Sequence, residues 1–427
     1  MISVKIDTHG CKLNQADSIQ LQKKFTENGY YVDSEVLNPD IYILNSCTVT
    51  HVADKKARQA LRKYKKENPN SLVVLTGCYA QRDKENLIKT KIADLIFDNT
   101  EKNDIVKNLS FHLDYQVPEI TQDKIMPGTL IDRTRASVKI QEGCNQICAY
   151  CIVPKVRGRE ISIDKNIIVK EINYLHESGF KEIILTGTQL GTYGYETGKE
   201  NLSKLIQYIL DNTKIDRLRI SSIQAHEITL ELLNIYKENS NRICNHFHLS
   251  LQSGSDKILK SMRRKYTQSE FMQSVNLIRA NLVNPSISTD VIIGFPDESE
   301  DDFKETIKVI NHSDFSKIHL FPYSDRPGTS SFYFKDKINA QIKNSRMKFS
   351  LELVKNIEYE YRNKMLNQNR NVLWEKSNRN DTETYFGYTE DYLKVMIKSS
   401  EKLFNTITNV KLKEIKNELI LVTQSII

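Results

Sequence analysis

Short apolar runs alternate with amphipathic stretches along the first hundred residues. Ser3 to Asp7 reads as a strand, and Ala16 to Asn28 as a helix stopped by Gly29. Ile41 to Leu44 is a second strand, a charged helix from about Val52 to Glu67 follows it, and Leu72 to Leu75 is a third. This strand–helix rhythm predicts an open parallel sheet with helices on its faces, spanning 1–114. The pattern weakens over 115–134, where Pro118, Pro127 and Gly128 read as a linker.

A second alternating region covers 135–366. Its candidate strands are Val138 to Gln141, Glu182 to Leu185, Arg217 to Ser221, Phe247 to Leu251, Ser288 to Ile293 and Lys317 to Phe321. Amphipathic stretches separate them; in one, Ile168, Ile172 and Leu175 share a helical face that Gly179 ends. Six such units predict a (βα)6 partial barrel with its chemistry at the carboxyl-terminal loops. A long charged helix from roughly Asn339 to Leu366 closes the region. Over 367–427 come five short runs: Val372 to Trp374, Tyr385 to Tyr388, Leu393 to Ile397, Thr408 to Leu412 and Leu419 to Val422. They predict a small all-β, OB-like barrel, so the fold class is α/β with an all-β appendage.

Composition narrows the picture. Hydrophobic residues make up 39% of the 427, enough for real cores, and no apolar run approaches the roughly 20 residues of a membrane span. The first residues lack the apolar core of a signal peptide, so a cytoplasmic location is expected. A net charge of +7 permits an anionic partner without requiring one. Lys55, Lys56, Arg58, Arg62, Lys63, Lys65 and Lys66 form one basic cluster, Lys155, Arg157 and Arg159 a second, and Arg263, Arg264 and Lys265 a third. Each alone reads as a solvated face. From Arg370 onward, 9 Lys/Arg face 8 Asp/Glu, so the last module is not strongly basic. Its Trp374, Tyr385, Phe386, Tyr388 and Tyr392 could stack bases or fill a barrel core.

The seven cysteines change the picture most. In a reducing compartment, grouped cysteines point to metal or catalysis rather than disulfides. Cys11, Cys47 and Cys78 each follow a predicted strand. Loops at the carboxyl ends of parallel strands converge, so these three can meet despite lying some thirty residues apart. Packing is the alternative for isolated buried cysteines, and it is the reading for Cys244. Cys144, Cys148 and Cys151 fall in the pattern C-x3-C-x2-C. Thiolates hold iron–sulfur clusters, and a [4Fe–4S] cube normally takes four, so three would leave one iron open. A structural zinc would want a fourth Cys or His nearby, and no other occurs between Glu142 and Asn173. Gly187 and Gly191 follow a predicted strand, where backbone can approach a ligand. His246 and His248 alternate on another, as ligands or as satisfied polar groups inside the barrel.

The loop Cys144-Asn145-Gln146-Ile147-Cys148-Ala149-Tyr150-Cys151 resembles the signature of radical S-adenosylmethionine (SAM) enzymes. Further stretches resemble the methylthiotransferase branch: Gly10-Cys11-Lys12-Leu13-Asn14, Asn45-Ser46-Cys47-Thr48, Ile152-Val153-Pro154-Lys155-Val156-Arg157-Gly158, Leu185-Thr186-Gly187-Thr188-Gln189, Leu251-Gln252-Ser253-Gly254 and Phe321-Pro322-Tyr323-Ser324. Within it, Arg133-Thr134-Arg135-Ala136, Lys12 and Val372-Leu373-Trp374-Glu375 resemble the MtaB type. Relatives tend to carry a Ser/Arg-rich stretch where this chain has Ile161-Ser162-Ile163 after Arg159.

The resemblance implies a [4Fe–4S] cluster on Cys144, Cys148 and Cys151 whose open iron chelates SAM, cleaving it to methionine and a 5′-deoxyadenosyl radical. It implies a second [4Fe–4S] cluster on Cys11, Cys47 and Cys78, serving as sulfur source or methylthio carrier. Tyr150, Thr186, Gly187, Thr188 and Gln189 become candidates for contacting SAM, and the last module becomes an RNA-binding TRAM domain. The implied substrate is N6-threonylcarbamoyladenosine beside the tRNA anticodon, methylthiolated at C2. The implied partners are tRNA, an electron donor such as flavodoxin or ferredoxin, and a sulfur source. Sibling substrates are isopentenyladenosine in tRNA and a ribosomal-protein aspartate; a non-catalytic iron–sulfur or zinc RNA-binding protein is the rival of another class.

Overall fold

The computed structural model describes residues 1–113, 134–375, 381 and 383–424. The linker expected over 115–134 lies outside the described residues except for Thr134, as does Arg133. The N-terminal unit runs β1 (Ser3–Thr8), α1 (Lys12–Glu27), β2 (Tyr31–Val32), β3 (Ile41–Ser46), α2 (His51–Glu67), β4 (Leu72–Gly77), α3 (Cys78–Lys89), β5 (Leu95–Phe97) and α4 (Ile105–His112). Its five strands pair in parallel in the order β2-β1-β3-β4-β5. The central β3 is buried along its whole length, which explains its unbroken apolar run. Val4, Ile6, Leu21 and Phe25 pack on one face of the sheet; Tyr42, Leu44, Leu61 and Tyr79 pack on the other. The edge strands β2 and β5 add to the predicted pattern, since two and three residues carry no readable alternation.

The central unit begins with β6 (Arg135–Lys139), β7 (Gln141–Glu142), α5 (Val153–Arg157), β8 (Ile161–Ser162), α6 (Lys165–Glu177), β9 (Glu182–Thr186), α7 (Leu202–Asn212), β10 (Arg217–Ile220) and α8 (Leu230–Glu238). It continues through β11 (His246–Gln252), α9 (Asp256–Ser261), α10 (Gln268–Asn281), β12 (Ser286–Ile293), α11 (Glu300–His312), β13 (Lys317–Pro322) and α12 (Ala340–Met365). The expected six-stranded partial barrel is present as two parallel sheets, β10-β9-β6 and β11-β12-β13. Isolated bridges at Leu218–Ile243 and Ile223–Leu249 join them. The first strand starts at Arg135 rather than Val138. Ile183, Leu185, Leu218, Leu249 and Val291 face the surrounding helices. Alternate positions line the interior with polar groups, among them Glu182, Arg219, His248 and Ser288. Helix α1 packs along the free edge of β6, so the N-terminal unit covers the strand that the barrel leaves unpaired.

The last five strands, β14 (Asn369–Glu375), β15 (Thr384–Thr389), β16 (Lys394–Lys398), β17 (Ile407–Lys416) and β18 (Leu419–Gln424), close a small barrel around Val372, Trp374, Val395, Val410 and Ile420. This is the TRAM-like module. It docks on the amino-terminal mouth of the central barrel. There Arg217 and Arg219 donate to the carbonyls of Tyr388, Thr389 and Glu390 while both pair with buried Glu182 at 2.8 Å. Burial would raise the Glu182 carboxyl, but the two guanidinium groups outweigh it and hold the group well below its usual range. Among the described residues, no helix is long and apolar enough to cross a membrane.

Candidate functional site: two thiol triads

The carboxyl ends of β1, β3 and β4 bring Cys11, Cys47 and Cys78 together, as converging loops require. Two glycines make the approach feasible. A Cβ on Gly10 would lie 2.9 Å from the Cβ of Cys47, and one on Gly77 would lie 2.5 Å from the Ser46 carbonyl oxygen. Both glycines have φ in the left-handed range, +146° and +96°. Cys11 occupies the N-cap of α1 and Cys78 is the first residue of α3, so two of the thiols sit at the positive ends of helices. Cys47 Sγ accepts from the Val49 N–H at 3.4 Å. Burial pushes the Cys47 thiol up to about 12, so a metal bound by this sulfur would displace its proton.

Cys144, Cys148 and Cys151 lie on the loop after β7. Gly143, at φ +74°, passes so close to the Arg159 backbone that a Cβ would be 1.9 Å from its carbonyl oxygen. Cys144 Sγ accepts from the Gln146 N–H at 3.4 Å, and Cys148 Sγ accepts from Arg264 at 3.5 Å. Burial pushes the Cys151 thiol up to about 12, reinforced by the neighbouring sulfurs. Tyr150 is half-buried and packs edge-on to Phe295, 6.4 Å between centroids.

Thr186, Gly187, Thr188 and Gln189 follow at the end of β9, within reach of the same loop. The Thr188 and Gln189 N–H groups both donate to Gln141 Oε1 at 2.9 Å. Gln224 Nε2 bridges Gln146 Oε1 (2.9 Å) and Gln189 Oε1 (2.7 Å), while Arg264 donates to Gln224 Oε1 at 3.0 Å. Glu227 accepts from the Gln189 side chain and from the Gln224 N–H. Burial pushes its carboxyl up to about 7, against those hydrogen bonds. The Thr188 hydroxyl is buried without a partner among the described residues, a polar group left for a ligand.

Two arginines of the central unit brace the N-terminal triad. Arg157 ends α5, six residues after Cys151, and is buried. Its Nε donates to Cys78 Sγ at 3.2 Å, NH1 to Asp17 (2.6 Å) and Glu142 (2.7 Å), and NH2 to Asn14 Oδ1 at 2.7 Å. Arg326, after β13, donates to Thr48 Oγ1 and Asp54 Oδ2 at 2.8 Å beside Cys47. Its Nε and NH1 are buried without a partner among the described residues.

Comparison with known proteins matches residues 138–310 to the radical SAM superfamily and residues 3–98 to uncharacterized protein family UPF0004. The chain is 39% identical over 403 residues to the threonylcarbamoyladenosine tRNA methylthiotransferase MtaB of Aquifex aeolicus (strain VF5), covering 91% of this chain and 98% of that one. The chain belongs to the radical SAM methylthiotransferase family. A second member, the tRNA-2-methylthio-N(6)-dimethylallyladenosine synthase of Clostridium tetani (strain Massachusetts / E88), is 34% identical across 95% of this chain and 93% of its own. Among solved structures, the radical SAM methyltransferase TsrM of Kitasatospora setae shares the fold, with a TM-score of 0.56 over 78% of this chain and 77% of its own at 12% identity.

Membership implies a [4Fe–4S] cluster and SAM. The residues fit such a group: soft thiol donors, N–H groups directed at sulfur, and unpartnered guanidinium N–H groups that an anionic cluster would satisfy. The basic clusters divide. Lys155 and Arg159 are exposed, as are Arg263 and Lys265, whereas Arg157 is buried and Arg264 half-buried, each on a thiol. Reading these two as solvated faces is corrected by their partners. Nothing in the sequence around either cluster marks which cation turns inward. His246 Nε2 and His248 Nδ1 both bond Ser288 Oγ at 2.9 Å, and His248 pairs with Asp290 at 3.1 Å. His246 Nδ1 is buried without a partner among the described residues, and His248, Asp290 and His319 bring their ligand atoms within 4.8 Å of one another. Cys244 is buried beneath Arg219 and Glu182. Trp374 and Tyr385 fill the last barrel's core, and Tyr388 and Tyr392 stack on Arg135 and Arg219, which leaves Phe386 half-exposed.

Proposed function

We propose that the chain methylthiolates tRNA in the cytoplasm, at C2 of N6-threonylcarbamoyladenosine beside the anticodon. In this reading, Cys144, Cys148 and Cys151 hold the SAM-binding [4Fe–4S] cluster, and Cys11, Cys47 and Cys78 hold an auxiliary one. The single observation that carries it is the pair of thiol triads, three sulfurs each, with buried Arg157, six residues after Cys151, bonded to Cys78 Sγ. Three ligands per cube leave an iron open on each side. A bound cluster of this kind supplies the electron that cleaves SAM. Such chemistry suits the substrate, because an adenine C2–H bond is neither acidic nor electrophilic.

The chain's own residues do the rest. Gln141 fixes the backbone of Thr188 and Gln189, and Gln224 locks Gln146 to Gln189, so the cluster loop and the proposed SAM-contacting segment share one frame. Gly187 passes close to Gln141, where a Cβ would meet its carbonyl oxygen at 2.9 Å, next to Thr186 at the end of β9. Tyr150 packs on Phe295 within the cluster loop's own unit. The threonylcarbamoyl substrate draws its support from an enzyme named for it at 39% identity; other relatives named for it stand at 33–34%, level with those named for dimethylallyladenosine. Mass spectrometry of tRNA nucleosides from a deletion strain tests it: the 2-methylthio form of threonylcarbamoyladenosine should vanish. Loss of 2-methylthio-isopentenyladenosine instead assigns the sibling substrate.

A further inference from the structure

All three loops of the N-terminal triad are held by arginines that belong to the central unit. Arg157 reaches the Cys11 loop through Asn14 and the Cys78 loop through sulfur itself; Arg326 reaches the Cys47 loop through Thr48. Arg157 is the more direct. Its Nε–H points at Cys78 Sγ from 3.2 Å, and the rest of its guanidinium is fixed by Asp17, Glu142 and Asn14. Asp17 is itself buried and also takes Lys102 and Lys139, both at 2.9 Å. Cys78, Ile152 and Val156 form a small apolar cluster that seats α5 against this corner. The guanidinium therefore has no freedom to leave the sulfur while the two units stay docked.

We infer that Arg157 is a positioning residue whose charge and N–H···S bond set the reduction potential of the cluster on Cys11, Cys47 and Cys78 from across the unit boundary. The inference rests on the reading that this triad holds a cluster. Its physical basis is general: hydrogen bonds to cluster sulfurs and nearby positive charge favour the reduced, more negative state. Removing them should lower the potential. Because α5 begins two residues after Cys151, the same short helix ties the third thiol of one triad to the third thiol of the other. The potential of the auxiliary site thus depends on the docked position of the loop that carries the other triad.

The test uses the full chain with Cys144, Cys148 and Cys151 all changed to Ala, reconstituted anaerobically with iron and sulfide. Iron content is read first. No bound iron removes the cluster reading, and this inference with it. With about four irons bound, Arg157→Gln and Arg157→Lys are compared with that parent by redox titration followed by electron paramagnetic resonance. Arg157→Gln should make reduction at least about tenfold less favourable, a fall of about 59 mV for one electron. Arg157→Lys keeps the charge near Asp17 and Glu142 but lacks the Nε–H, and should give a smaller fall. Potentials equal to the parent in both variants, with iron retained, overturn the inference, even if thermal stability drops. Should Arg157→Gln lose its iron, Arg157→Lys alone decides, by the same criterion.

Discussion

The two thiol triads are assembled by opposite structural routes. Cys144, Cys148 and Cys151 come from eight consecutive residues, so the entropy of bringing them together is small. Cys11, Cys47 and Cys78 come from three strand ends and exist as a site only when β1, β3 and β4 are in register. Their supports differ in the same sense. The local triad draws Arg264 from its own unit, while the distributed triad draws Arg157 and Arg326 from the neighbouring one. A local site is thus portable with its loop, whereas a distributed site reports on the whole fold and its docking.

The largest effects come from breaking one triad at a time. Cys148→Ala should abolish SAM cleavage and product together, because the remaining two thiols cannot hold a cluster that delivers an electron. Deoxyadenosine formed at the parental rate would refute that assignment. Cys47→Ala should halve the iron, following four irons per cube, and stop methylthio transfer while SAM is still cleaved on reduction. Unchanged iron and normal tRNA product would return Cys11, Cys47 and Cys78 to packing residues.

That asymmetry also decides what could be read from sequence. The C-x3-C-x2-C loop and the strands Ile41–Leu44 and Leu72–Leu75 announce themselves through local spacing and period. The convergence of Cys11, Cys47 and Cys78 follows from topology once three parallel strands are recognised. Arg157 was not legible, because nothing in Lys155-Val156-Arg157-Gly158-Arg159 distinguishes the one cation that turns inward. Its burial is created by Asp17, 140 residues away, and by Cys78, 79 away. Likewise the apolar pattern places the start of β6 at Val138 rather than Arg135, whose side chain is held by Glu375 of the last barrel.

Next in size is the ionic corner that docks the distributed triad. Asp17 is buried beside Lys102, Lys139 and Arg157. Asp17→Asn would leave three cations sharing no carboxylate there except Glu142, and removing one partner of a buried pair costs about 3–5 kcal/mol. Denaturant unfolding should show a loss of that order. Iron on the N-terminal triad should fall before iron on the local one. Equal loss from both would mean that docking does not discriminate between them.

The smallest effect concerns pH, and here the two surroundings have opposite signs. Burial raises the Asp17 carboxyl, but Lys102, Arg157 and Lys139 outweigh it and depress the group. Its contribution is present above the unfolded value and is lost as pH falls. Glu227, beside the local triad, is raised to about 7 by burial. Its contribution is therefore full below the unfolded value, near 4.3, and is lost as pH rises through about 7. A shift of this size corresponds to at most about 4 kcal/mol. Thermal melts of the parent between pH 5.5 and pH 8 should show declining stability, and SAM binding should weaken over the same interval, because burial penalises ionised Glu227 by more than the donors Gln189 and the Gln224 N–H offset. Glu227→Gln fixes the neutral shape and should flatten both profiles on the alkaline side while leaving the acid limb set by Asp17 untouched. Parental slopes in Glu227→Gln would show that the alkaline loss arises elsewhere, and the contrast between the two triads would then rest on their iron content alone.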